Sequence, residues 1–187
     1  MTADGVTYPM APPCMVSATQ NPVEHEGTYP LPESQLDRFL MRLSVGYPSR
    51  EAEVEVLEAH GDHDPLSALQ PVAGTDDIAA LAEAARSVHV APALREYLVD
   101  LADASRHHPQ LALGMSPRAS LGLQRVARAR AAAAGREFVV PDDLKALAHP
   151  VLDHRLLLTP EAQIQGYRSS DAVDDLLRTV PLPTGRG

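Results

Sequence analysis

Two short apolar runs, Met15 to Ala18 and Phe39 to Val45, constrain the fold of this chain more than any other feature. The first runs into Ala18-Thr19-Gln20-Asn21-Pro22. A turn-rich linker and one helical turn opened by Pro32 then lead to the second. The pattern reads strand, polar tip, short helix, strand. It places the Asn21 amide and the Arg38 guanidinium near the same end of a sheet. In open α/β sheets ligands bind beyond the carboxyl ends of the strands. An uncharged hydrogen-bonding group and an arginine at such an end suit an anion and a water molecule.

Upstream, Asp4-Gly5 flanked by Thr2 and by Val6-Thr7-Tyr8 predicts a tight hairpin turn. So little chain precedes this turn that the hairpin is expected to be the second half of a longer one. Gly46-Tyr47-Pro48 breaks the strand pattern, and Glu51 to His60 is helix-like, with Val54 and Leu57 facing away from the glutamates. A polar connection containing Pro and Gly covers residues 61–74. From residue 75 onward the period is helical: Ile78, Leu81, Ala82 and Ala85 share one face, as do Leu94, Tyr97, Leu98 and Leu101. Ser116-Pro117 opens a further helix with a capping hydroxyl and a Pro at its first position, and Gly135 ends it. Pro141-Asp142-Asp143 opens another, with acids where the helix dipole favours them. A last short helix fits residues 171–179.

The chain has 187 residues and 44% apolar content, enough for an ordinary core. Only 4% of residues are aromatic and there is no Trp, so that core must be built from Leu, Val and Ala. A net charge of −9 argues against a nucleic-acid partner held through its phosphates. The single cysteine, Cys14, rules out an internal disulfide framework and fits a reducing compartment; it is expected to be a buried packing residue. No apolar run approaches the ~18 residues of a spanning helix, and the N-terminus lacks a charged-then-apolar signal pattern. A cytoplasmic protein with no membrane insertion is expected.

Two other clusters have weaker claims. His60-Gly61-Asp62-His63-Asp64 holds metal-ligand chemistry, but a glycine-containing loop does not fix the geometry a zinc site needs, and a solvated loop is the better reading; no metal ligands are assigned. Arg125, Arg128, Arg130 and Arg136 read as a solvated or subunit-facing helix side in so acidic a chain. Nothing forms a Ser-His-Asp or Cys-His nucleophile.

Ala18-Thr19-Gln20-Asn21-Pro22, then Gly27-Thr28-Tyr29-Pro30-Leu31-Pro32-Glu33 with Leu36-Asp37-Arg38-Phe39, then Ser116-Pro117-Arg118-Ala119-Ser120, resemble the MoxR family of AAA+ ATPases. The wider likeness is to magnesium-chelatase-type AAA+ subunits. Pro141-Asp142-Asp143-Leu144-Lys145-Ala146-Leu147-Ala148 and His154-Arg155-Leu156 fit the family's C-terminal lid, so the resemblance spans essentially the whole chain. It implies that Asn21 is the sensor-1 residue, holding the γ-phosphate or the attacking water. Arg38 would be the arginine finger delivered to a neighbouring subunit's nucleotide, and Arg118 the sensor-2 arginine that contacts bound nucleotide.

The family's Gly-x-x-x-x-Gly-Lys-Ser/Thr loop and its Asp-Glu pair do not occur; the only lysine is Lys145. ATP and Mg²⁺, the cofactors the resemblance implies, would be held mainly by segments upstream of this sequence. The chain alone is therefore expected not to hydrolyse ATP. The fold class expected is an α/β fragment plus an all-α part: the last strands of an AAA+ αβα core over residues 1–45, a connecting helix and linker over 46–74, and a helical lid over 75–187. The implied partners are other AAA+ subunits in a hexameric ring and a client protein undergoing chaperone-like remodelling. The alternative is a non-catalytic interaction module that joins a ring or binds a partner through its lid.

Overall fold

The computed structural model describes residues 2–3, 5–20, 32–59 and 65–183. In chain order the elements are β1 (Thr2–Ala3), β2 (Val6–Thr7), α1 (Glu33–Leu36), α2 (Arg50–Ala59), a 3-10 turn (Pro65–Ala68), α3 (Thr75–Ser87), α4 (Pro92–Arg106), β3 (Leu111–Leu113), α5 (Pro117–Ala133), α6 (Pro141–Leu152), β4 (Leu157–Leu158), α7 (Pro160–Ile164) and α8 (Ser169–Thr179). They fall into two compact units. One combines Met1–Met15 with Leu43–Ala80, the other Val16–Arg42 with Leu81–Gly187.

In the first unit β1 and β2 pair antiparallel, Thr2 opposite Thr7 and Ala3 opposite Val6. Gly5 adopts φ +78°, a conformation the tight turn requires and that costs glycine nothing. Helix α2 carries Glu51 and Glu53 in its first turn, where the helix dipole favours acids. Its Val54, Val56 and Leu57 are exposed. Cys14 is exposed as well, with Sγ 3.9 Å from Met10 Sδ, which corrects the expectation of a buried thiol. The physical reason is local: the neighbouring Met15 and Val16 are exposed too, so no apolar layer covers this stretch.

The apolar runs expected as strands at 15–18 and 39–45 carry no strand pairing among the described residues. A strand exists only where a neighbour receives its backbone groups. Two of those groups instead go to α6 and the turn after it: Arg42 N–H donates to Pro150 O at 2.8 Å, and Phe39 O accepts from that turn.

The second unit is a helical bundle in which α5 packs most extensively on α6. Four of its helices, α4, α5, α6 and α7, open with proline, whose missing N–H is no loss in the first turn. Ser116 Oγ caps α5 by accepting from Ala119 N at 3.2 Å, and Thr159 Oγ1 caps α7 from Ala162 N at the same distance. Gly135, at φ +70°, turns the chain out of α5. Leu94, Tyr97, Leu98 and Leu101 of α4 meet Leu123, Val126 and Ala127 of α5, with Leu144, Ala148 and Val151 of α6 and Val173 and Leu176 of α8. The absence of Trp is met by small residues: Ala119, Ala127, Ala131, Ala148 and Ala172 have no exposed surface, so helices approach closely.

Sequence periodicity gave no sign of β3 and β4. They pair antiparallel, Leu111 with Leu158 and Leu113 with Leu157, around a register shift. The chain end of α4 is held against this ribbon at Gly114, where an added Cβ would sit 2.6 Å from the Ser105 carbonyl carbon. The buried Ser105 hydroxyl donates to Ala102 O at 2.7 Å and accepts from Met115 N at 2.8 Å. Asp143, 1% exposed, accepts from Val140 N at the start of α6 and from Arg136 and Arg130. Burial pulls its carboxyl upward, but the Arg136, Val140 and Arg130 donors outweigh this and hold it below the usual range.

Candidate functional site

Four arginines line one open cleft of about 840 Å³ in the second unit: Arg38 just after α1, Arg118 and Arg125 on α5, and Arg155 after α6. Arg118 is the second residue of α5 and Arg125 lies two turns further along the same face. Leu40, Leu121 and Gly122 complete the lining. Arg38, Arg118 and Arg125 are exposed, and three such guanidinium groups around one opening in a chain of net charge −9 make an anion-seeking spot.

Arg118 is 59% exposed at its side chain, and its Nη1 lies 3.9 Å from Asp37 Oδ2, a long surface contact of little energetic weight. Arg38 is exposed and has no ion pair among the described residues. Both groups are therefore free to turn toward an incoming anion. Arg155 is different. Its side chain is 2% exposed, and Nη2 donates to Phe39 O at 2.6 Å and to Asp37 O at 3.3 Å, while Nη1 donates to Val151 O at 3.0 Å. Its Nε stands 3.3 Å from Asp37 Oδ1, close enough for ion pairing but out of line for a hydrogen bond. Burial pushes the Arg155 pKa below the ordinary guanidinium value; Asp37 opposes this and Arg118 adds to it.

His154 completes the attachment. Its Nε2 donates to Phe39 O at 3.1 Å, which leaves the proton on Nε2 and not on the buried, unpartnered Nδ1. Burial pushes the His154 pKa down; the Phe39 carbonyl opposes this, and the nearby Arg155 and Arg42 add to it.

Of the residues singled out in the sequence, Arg38 and Arg118 come to one cleft. Asn21 lies outside the described residues, as does His60-Gly61-Asp62-His63-Asp64. Among the described residues no three His, Cys, Asp or Glu side chains converge as metal ligands. The row of arginines on and after α5 divides: Arg130 and Arg136 hold Asp143, while Arg125 faces the cleft. Sequence reading assigned no role to Asp37, His154 and Arg155. The signal available was His154-Arg155 directly after a helix, a charged pair where the chain otherwise turns apolar.

Comparison with known proteins bears on both the segment carrying Arg38 and the bundle carrying Arg118. The profile described as "AAA lid domain" matches residues 103–176, and that of the "ATPase family associated with various cellular activities (AAA)" matches residues 1–41. The chain belongs to the MoxR family of AAA+ ATPases and corresponds to their C-terminal portion.

Chaperone MoxR1 of Mycobacterium tuberculosis is 42% identical over 96% of this chain and 49% of its own length. The Bacillus subtilis protein YeaC is 42% identical over 100% of this chain and 58% of its own. Protein MoxR of Paracoccus denitrificans is 32% identical over 92% of this chain and 57% of its own. The crystal structure of a candidate ATPase from Cytophaga hutchinsonii superposes with a TM-score of 0.88 at 33% identity, over 98% of this chain and 58% of that one. The chain thus spans about half the length of the relatives it matches.

Proposed function

We propose that this chain presents Arg38 and Arg118 together to the γ-phosphate of ATP held by a neighbouring AAA+ subunit, within a ring whose turnover drives chaperone-like remodelling of a client protein in the cytoplasm. The observation that carries this reading is the shared cleft: both arginines line it from one unit, so a phosphate reached by one is within the other's field. The expectation for Arg38 is a neighbouring subunit's nucleotide and for Arg118 bound nucleotide; this reading gives both the same phosphate. A fixed positive charge meeting charge that develops in the transition state is worth roughly 10³ to 10⁵ in rate. ATP fits the cleft through its phosphates. Asn21 is assigned the orientation of the attacking water.

The sequence contains no phosphate loop and no Asp-Glu magnesium pair, so turnover is assigned to the ring and not to this chain alone. The test mixes the chain with a complete MoxR-type subunit whose own finger arginine has been replaced by alanine. Wild-type chain is expected to restore phosphate release, and chains carrying Arg38→Ala or Arg118→Ala are not. Magnesium-dependent phosphate release from the purified chain alone, abolished by Arg118→Ala, would refute the proposal. Client binding without any rescue would favour a non-catalytic interaction module.

A further inference from the structure

Arg155 meets the Arg38-bearing segment through two backbone carbonyls and the Asp37 carboxylate, yet its side chain is too buried to meet a ligand itself. Its guanidinium spans the joint between two parts of the sequence: Nη1 is anchored on Val151 O within α6, and Nη2 on Phe39 O and Asp37 O, immediately either side of Arg38. The Asp37 carboxylate lies between this group and Arg118, at 3.3 Å and 3.9 Å respectively. Gly122 of α5 supports the same group from the other side, since a Cβ there would stand 3.1 Å from Arg155 Nη1.

From this geometry we infer that Arg155 is a positioning residue, which clamps residues 37–39 onto the lid so that Arg38 reaches the same triphosphate as Arg118. The inference rests on the shared-cleft reading and adds to it the device that sets the finger's position. A lysine cannot replace this group, although it keeps the charge. Its single ammonium has no planar fork with which to bond two carbonyls on one side and a third on the other.

The test titrates the isotopically labelled full chain with inorganic triphosphate and follows the arginine Nε–Hε signals. In the wild type the Arg38 and Arg118 signals are expected to shift with one shared apparent Kd. In Arg155→Lys the Arg118 signal is expected to keep moving while the triphosphate-induced shift of the Arg38 signal is largely lost, and the single Kd read from the titration weakens roughly two- to tenfold, the cost of leaving one side chain's position unset. Gly122→Ala provides a second variant that favours its helix and keeps the Arg155 residue; crowding of Nη1 is expected to give the same selective loss of the Arg38 shift.

An Arg38 response unchanged in both variants would overturn the positioning role and leave the shared cleft standing. Loss of both responses together with a lowered Tm would also overturn it, because Arg155 would then only hold the fold. Wild-type signals that do not move, or that move with unrelated constants, would remove the shared cleft and this inference with it.

Discussion

The buried guanidinium of Arg155 donates to the carbonyl oxygen of Phe39 at 2.6 Å, joining residues 116 positions apart in sequence. Phe39 O also accepts from His154, so one backbone oxygen takes both side chains of a dipeptide. Removing Arg155 leaves Asp37 O and Val151 O short of a donor and the Asp37 carboxylate short of its closer partner. Arg155→Met is expected to cost about 2–3 kcal/mol, the scale of charged hydrogen bonds lost from a buried site. Urea unfolding followed by far-UV circular dichroism checks this; a change below about 0.5 kcal/mol, the size of a surface substitution, would show that the clamp carries no stability.

Ser105 offers a narrower test. Its hydroxyl is the acceptor for the buried Met115 N–H, at the close approach enforced by Gly114. Ser105→Ala keeps the packing and orphans that donor, at an expected cost of about 1–3 kcal/mol. Ser105→Cys, which restores a weak acceptor of similar shape, is expected to recover part of it. Equal stability of the Ala variant and the wild type in the same denaturation would contradict the assignment.

Asp143 gives a pH dependence with a definite sign. Its folded pKa is held below the ordinary carboxylate value, so the folded state binds this proton less readily than the unfolded chain. The resulting stability is fully present above the unfolded pKa, near 3.8, and is lost as pH falls through the lower folded value. Asp143→Asn is therefore expected to lower stability near neutrality and to flatten the fall below about pH 4. Thermal unfolding of both forms between pH 2.5 and pH 6 (chosen to bracket roughly that window) reads the difference as a convergence of the two curves.

Tyr167 titrates late. Burial, the hydrogen bond from its hydroxyl to Asp175 at 2.8 Å, and the Asp175 and Asp171 charges push its pKa up to about 12, against a smaller opposing effect of Arg178. A raised folded value means that its contribution to stability is intact below the unfolded pKa near 10 and is lost as pH climbs through about 12. Ultraviolet difference titration is expected to show the Tyr167 phenol ionising about two pH units after an ordinary tyrosine, beside the buried Tyr97, whose pKa burial also raises. Tyr167→Phe should remove that late step, and Asp175→Asn should move it earlier.

Much of the bundle was legible because its punctuation is chemical. Ser116-Pro117 and Pro141-Asp142-Asp143 fix helix starts by capping and by the missing N–H of proline, and Gly135 fixes an end by its positive φ. Arg38 and Arg118 were singled out from the sequence, and both line the cleft together with Arg125 and Arg155. The clamp between them was not, because it depends on which carbonyls a buried arginine faces across the fold, and no local spacing encodes that. The β3–β4 ribbon was missed for a related reason: two- and three-residue strands are too short to show alternation, and their pairing is set by the bundle around them. The apolar runs at 15–18 and 39–45 carried the correct composition for strands, yet composition cannot supply the neighbour that makes a strand.

Asp37 decides which charge at the cleft is already answered. Its carboxylate stands 3.3 Å from Arg155 Nε and only loosely approaches Arg118, at 3.9 Å. The positive charge left facing the opening is therefore that of Arg38, Arg118 and Arg125. A visitor carrying several negative oxygens would match three such groups at once, where a single carboxylate would match one.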